Sequence, residues 1–259
     1  MKKLLAYAAL AILCAFTGCS KKQANTFTVG FDAEFPPYGY KDEKTGEYTG
    51  FDLELAAEVA KRNGWTLVKK PINWDSKDME LNSGSIDCIW NGFTINGREN
   101  EYEWTEPYVD NSQVVMVKKG SPIKTLADLA GKVVAAQTDT PVLKALQDGG
   151  DKADLGKTFK KIVISSNYVS AIMELESGAV DAVAVDIGVA KDKITKTGDT
   201  FVILGESIMT EMYGIGFKKG NTALRDQVQA TLKAMVADGA AAEISKKYFD
   251  GKDVLIIKP

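Results

Sequence analysis

The chain has 259 residues, 45% of them hydrophobic and 26% charged, with a formal net charge of −3. That composition suits one or two globular domains with a true core, and the acidic balance argues against nucleic acid as a main partner, because phosphate binding needs a basic surface. No histidine is present, which excludes Ser-His-Asp triads, histidine general bases and histidine-containing zinc sites.

Lys2 and Lys3 precede an apolar run over residues 4–16, too short to span a bilayer comfortably, and Thr17-Gly18-Cys19 follows. This pattern predicts a secretory leader over residues 1–18. Its removal takes two lysines with it and lowers the net charge from −3 to −5. The junction is similar to a lipobox, with Phe16 where a smaller aliphatic residue is usual, and the similarity implies a lipid anchor on Cys19. Cys14 leaves with the leader and Cys19 is taken by the anchor, so Cys88, in an apolar stretch, reads as a small buried side chain. Residues 20–25 are short and polar, suiting a tether.

Beyond the tether, short apolar runs alternate with segments of helical period. Residues 26–31 read as a strand. Leu53, Ala56, Ala57 and Ala60 recur at helical spacing before an Asn63-Gly64 stop. Strands are predicted over 65–70 and 86–90, with a short helix over 78–82 between them. The rhythm restarts with a strand over 114–117, a short helix over 125–129, a strand over 132–137 and a helix opened by Thr140-Pro141. A strand over 162–165, a helix over 167–176 and a strand over 180–185 follow. Two late strands, 201–204 and 213–217, precede a helical region over 222–249 broken at Gly239. Such βαβ alternation predicts an α/β fold with a mostly parallel sheet. One echo stands out: Leu81-Asn82-Ser83-Gly84-Ser85-Ile86-Asp87 matches Leu175-Glu176-Ser177-Gly178-Ala179-Val180-Asp181. It reads as one helix–Gly–strand junction used in two related lobes.

Six stretches then carry a resemblance: residues 29–38 (VGFDAEFPPY), 48–55 (YTGFDLEL), 81–94, 104–108 (WTEPY), 126–134 (LADLAGKVV) and 183–186 (VAVD). In this order and spacing the chain resembles the family 3 solute-binding proteins, the polar-amino-acid-binding components of ABC importers. The resemblance implies a type II periplasmic-binding-protein fold: two α/β lobes joined by two hinge strands, with ligand between them. It places the first part of lobe 1 at 26–112, lobe 2 at 113–207, and the hinge return with the rest of lobe 1 at 208–259. The crossings fall at 109–112 and 208–212.

A free α-amino acid presents a carboxylate and an ammonium, and a dry cleft must neutralise both. Arg98 is the candidate carboxylate clamp, since its fork can hold both oxygens at once. In the family this arginine lies one residue further from the matching threonine. Thr140, as N-cap with Pro141 at the first helical position, is the second carboxylate candidate. Pro141 stands where the family often has glycine, so one amide donor is absent. Asp186, at the end of an apolar strand, matches the family's ammonium-binding aspartate. Thr94 and the Gly92 carbonyl map as further ammonium acceptors. Phe35 and Trp74 match positions that sandwich the ligand side chain, while Trp90 reads as core. Asp32 matches a position facing polar or cationic side-chain ends, and Glu34 could add charge there. A basic amino acid is placed slightly ahead of glutamine, histidine and cystine.

The expectation is therefore an extracytoplasmic, membrane-anchored binding protein, monomeric and without cofactor or metal. It closes on its ligand and docks on an ABC permease. The alternatives on the same fold are a cyclohexadienyl dehydratase-like enzyme, which would need a general acid in the cleft, and a ligand sensor without transport.

Overall fold

The computed structural model describes residues 25–198 and 200–259. The leader, Cys19 and residues 20–24 of the tether lie outside the described residues. The first half of the chain forms β1 (Thr26–Phe31), β2 (Glu34–Phe35), β3 (Gly39–Lys41), β4 (Tyr48–Thr49), α1 (Phe51–Arg62) and β5 (Thr66–Pro71). A 3-10 turn at Trp74–Ser76 leads into α2 (Lys77–Asn82), then β6 (Cys88–Thr94), β7 (Glu103–Trp104) and β8 (Val109–Lys118). The middle forms β9 (Val133–Gln137), α3 (Pro141–Leu146), α4 (Ala153–Thr158), β10 (Lys161–Ser165), α5 (Tyr168–Ser177), β11 (Ala182–Asp186) and α6 (Ile187–Thr197). The long strand β12 (Phe201–Phe217) and helices α7 (Thr222–Ala237) and α8 (Ala240–Tyr248) complete it.

Two α/β lobes result, connected by strands. One contains the order β5-β1-β6, the other β10-β9-β11, and β8 and β12 run antiparallel between them. β11 pairs with β8 at residues 113–116, whereas β6 pairs with β12 at residues 213–217. Both long strands therefore belong to both lobes. The sequence pattern predicts two late strands where one continuous strand exists. The polar stretch 205–207 interrupts the apolar pattern without ending the backbone pairing, and the register slips there instead. Strand β6 also begins later and ends later than its apolar run suggests, because Asn91 and Thr94 are buried strand residues. Helices α4 and α6 are additions to the sequence reading. The break at Gly239 is present, with φ 87°.

The echoed heptapeptides form the same junction in both lobes. The Asp87 amide donates to the Thr28 carbonyl at 2.8 Å, and its carboxylate accepts from the Thr28 amide at 2.7 Å. Asp181 makes both bonds with Val133, each at 2.8 Å. Upstream, the Glu80 carbonyl accepts from the amides of Ser85 and Ile86, and the Glu174 carbonyl from those of Ala179 and Val180. An aspartate at the start of the third strand thus clamps the entry of the first. The matched connectivity makes β1, β5 and β6 counterparts of β9, β10 and β11.

The core explains where the site can lie. Phe51, Leu55, Ala56 and Val59 of α1 are buried together with Leu232 and Met235 of α7 and the apolar side chains of β1. In the other lobe Val134, Ala136, Ala182 and Ala184 pack against Val142, Leu143 and Leu146 of α3. Cys88 is fully buried in the first of these cores. Polar side chains are left to the strand ends between the lobes. Asp87→Ala should cost about 1–3 kcal/mol by orphaning the Thr28 amide. Asp181→Ala, whose bond faces solvent, should cost less. Urea unfolding checks both, with lowered midpoints at unchanged m-value.

Candidate functional site

A narrow cavity lies between the lobes, lined by Asp32, Phe35, Trp74, Asn91, Gly92, Thr94, Arg98, Gln113, Gln137, Thr140, Pro141 and Asp186. All eight ligand-site residues named from the sequence fall on this one surface. Asp32, Phe35, Trp74, Gly92, Thr94 and Arg98 come from the first lobe, Thr140 and Asp186 from the second. Glu34 is exposed and lines a separate outer groove, and Trp90 is fully buried in the core.

Arg98 follows the exit of β6 and is 11% exposed. Its Nη2 donates to the Asp139 carbonyl at 2.7 Å and its Nη1 to the Thr94 carbonyl at 3.5 Å, while the guanidinium lies 5.1 Å from the Phe93 ring centre. These bonds occupy part of a five-donor fork. Gly92 is required by geometry: its φ is 54°, and a Cβ there would sit 2.9 Å from the Phe35 ring and 3.1 Å from Tyr213. Its amide donates to the Asp52 carboxylate at 2.6 Å, which Tyr108 also reaches at 2.8 Å. Trp74 packs edge-on against Phe93, with the Lys77 ammonium 5.6 Å from its ring centre. One aromatic face near the cavity thus already has a cation.

On the opposite wall, Thr140 caps α3. Its hydroxyl accepts from the Leu143 amide at 3.4 Å and donates to the Gln137 carbonyl at 2.7 Å. Asp186 occupies the N-cap position of α6, yet its carboxylate makes no capping bond. It turns instead toward the crossing strands, where Oδ1 accepts from Asn111 Nδ2 at 2.8 Å and from the Tyr213 hydroxyl. Beside it lies Glu211, 3% exposed on β12. Glu211 accepts from Asn111 Nδ2 at 2.6 Å, Gln113 Nε2 at 2.7 Å and the Thr94 hydroxyl at 3.0 Å. Burial raises the Asp186 pKa against its hydrogen bonds. Burial, then the Asp186 charge, pushes Glu211 up to about 8.

The lobes also hold each other directly. Gln137 Nε2 donates to Asp32 at 2.8 Å across the cleft. Asp139, in a left-handed conformation at φ 49°, pairs with the buried Lys77 ammonium. Gly188 at the start of α6 gives room to Tyr38, whose hydroxyl would lie 2.4 Å from an added Cβ. Two buried polar atoms on the cavity-lining residues have no hydrogen-bond partner: Asn91 Nδ2 and Gln113 Oε1. Asn111, Gln113, Gln137 and Glu211 are absent from the sequence reading. Strand alternation could have found three of them. Asn111 and Gln113 share the buried face of β8 with Val109 and Val115, and Glu211 that of β12 with Tyr213 and Ile215.

Residues 27–251 match the model of the bacterial extracellular solute-binding proteins, family 3. The chain belongs to this family. It is 32% identical over 236 residues to the L-cystine-binding protein TcyJ of Escherichia coli K12, covering 90% of this chain and 85% of that protein. An ABC uptake transporter substrate binding protein from Streptococcus pneumoniae, solved with bound histidine, superposes with a TM-score of 0.84 at 29% identity. It covers 90% of this chain and 95% of that one. An ancestral arginine-binding protein solved with arginine gives a TM-score of 0.79 at 36% identity, covering 87% and 98%.

The buried acids give this family member a directional pH dependence. Burial raises Asp52 to about 7 against its bonds from Tyr108 and Gly92, and raises Asp32 as well. For a raised carboxylate, the folded state keeps a proton that the unfolded state loses, so stability falls as pH climbs toward the folded pKa. Each such group contributes a slope of about 1.4 kcal/mol per pH unit between its two pKa values. Half-buried Asp42, Glu58 and Glu80, held below their ordinary values by hydrogen bonds, act oppositely in stronger acid. The unliganded protein should therefore melt higher near pH 5.5 than near pH 8 and lose stability again below about pH 4. A calorimetric pH series checks the sign.

Proposed function

We propose that this protein captures a free polar amino acid between its two lobes for delivery to an ABC permease. One observation carries the reading: a single interlobe cavity is walled by a guanidinium from one lobe and a buried carboxylate from the other. Arg98 takes the ligand carboxylate, assisted by the helix start at Thr140. Asp186 takes the ammonium, with Thr94 and the Gly92 carbonyl beside it. Phe35 and Trp74 flank the side chain. Asp32 faces its end, which supports a basic or hydrogen-bonding side chain over an apolar one. The named relatives are binding proteins for cystine, histidine and arginine, which fits a polar substrate with an α-amino acid head.

Closure is the working step. A ligand touching both walls makes its full contacts only when the lobes are shut, so it selects that state. The closed form is then what the permease reads. Acylated Cys19 would hold this monomer at the outer face of the membrane, and stable anchoring would take more than one acyl chain.

A thermal-shift panel of the amino acids with cystine and ornithine tests the proposal, since a ligand that binds only the native state raises the melting temperature. A polar amino acid should stand out. Arg98→Ala should lose at least about 100-fold in affinity, because it removes a charge-assisted, forked contact, and should erase the shift at ligand levels that saturate the wild type. A full shift in Arg98→Ala would place the carboxylate elsewhere.

A further inference from the structure

The reading above gives the ligand ammonium three acceptors, and none lies on β8. Yet β8 sends one buried polar side chain to the cavity wall. Gln113 is 1% exposed, and its Nε2 is committed to Glu211 Oε1 at 2.7 Å. A primary amide with its nitrogen fixed has its oxygen fixed as well. That oxygen, Oε1, is buried without a partner. A buried acceptor left unsatisfied costs about as much as a lost hydrogen bond, so its presence on a cavity wall points to a donor that arrives from outside.

We propose that Gln113 Oε1 is a further acceptor for the ligand's ammonium group, and that Glu211 is the positioning residue that turns it toward the ligand. Glu211 can do this because its two carboxyl oxygens face three neighbouring donors. Asn111 Nδ2 and Gln113 Nε2 converge on the same Oε1, and the Thr94 hydroxyl spends its proton on Oε2. Each of these groups could otherwise donate into the cavity. With their hydrogens drawn back to Glu211, Thr94 and Gln113 present lone pairs, next to the Asp186 carboxylate. The arrangement selects a donor-rich cation and rejects a group that only accepts, such as the carbonyl of a keto acid, at that place. Asn111 lies one pair of residues deeper on the same strand face, and its Nδ2 joins Glu211 to Asp186. This inference rests on the amino-acid-binding reading and adds a residue and an orientation rule to it.

The test is calorimetric titration of the full-length folded protein with L-arginine, L-histidine and L-cystine. The variants are Gln113→Leu, Glu211→Gln and their combination, with circular dichroism and unliganded melting curves to confirm folding. Gln113→Leu should lose roughly 10- to 100-fold in affinity, the scale of one hydrogen bond to a charged group. Glu211→Gln should lose a similar factor because an amide offers one oxygen where the carboxyl group offers two, freeing Gln113 to rotate. The double variant should be no weaker than the weaker single one, the non-additivity expected when one residue acts through the other. A second measurement needs no variant: the Gln113 side-chain carbonyl carbon should shift in the wild-type NMR spectrum on adding the bound amino acid. Binding within about twofold of wild type in Gln113→Leu, or an unmoved carbonyl resonance, overturns the acceptor role. Losses that multiply in the double variant overturn the positioning role. A wild type that binds none of the amino acids in the thermal-shift panel instead defeats the underlying functional reading, so the two failures are told apart.

Discussion

Two carboxylates buried side by side set the terms for the rest of this molecule. Asp186 and Glu211 sit where β11 and the crossing strands meet, and among the described residues neither forms an ion pair. Charges in such a place are tolerated only with hydrogen bonds, with a shared proton, or with a counter-charge. Asn111, Gln113, Thr94 and Tyr213 supply the hydrogen bonds. Raised pKa values in the empty cavity express the proton. On the proposed function, the ligand's ammonium supplies the counter-charge. A site built this way gains from its ligand something no internal contact provides, which is why capture and closure can be one event.

The duplicated architecture places those charges. Strand β6 runs from Asp87 and β11 from Asp181, each aspartate clamping the first strand of its own lobe. Five residues beyond each clamp lie Gly92 and Asp186. In the first lobe that position must be glycine, since its positive φ and the nearby Phe35 and Tyr213 rings leave no room for a side chain. In the second lobe it carries the carboxylate. Asp32 and Gln137 close the first strands of their respective lobes and bond to each other across the cleft at 2.8 Å. A repeated fold thus meets itself at the cavity with different side chains on its two walls.

Much of this was legible from sequence because it follows local rules. The repeated Leu-x-Ser-Gly-x-x-Asp junctions, the Asn63 and Gly178 helix ends and the Thr140-Pro141 start all act within a few residues. Resemblance of motifs then gathered Asp32, Phe35, Trp74, Gly92, Thr94, Arg98, Thr140 and Asp186, and the structure puts them around one cavity. Glu211, Asn111 and Gln113 escaped because they lie on crossing strands, where a polar residue reads as a solvent-facing position. Their burial depends on partners 75 to 117 residues away in sequence. Lys77 escaped for a similar reason: it is 2% exposed, and Asp139, which pairs with its ammonium, belongs to the second lobe. Residues that bridge lobes are those local pattern describes least.

Closure also has an internal component. Arg98 donates to the Asp139 carbonyl and Lys77 pairs with the Asp139 carboxylate, so a loop of the second lobe already sits between two cations of the first. In the proposed closure these bonds would lower the cost of bringing the lobes together, and a ligand would supply only the remaining difference between open and closed states. The same bonds limit what Arg98 has left to offer. With one nitrogen on Asp139 and another on the Thr94 carbonyl, only its remaining N–H groups are left for the carboxylate of the proposed ligand. Asp186 likewise keeps only the acceptor capacity not taken by Asn111 and Tyr213 on Oδ1. Each wall is therefore part-satisfied by its own protein and completed from outside. Complete satisfaction would leave nothing for a ligand to gain, and none at all would make the unliganded closed state too costly to visit.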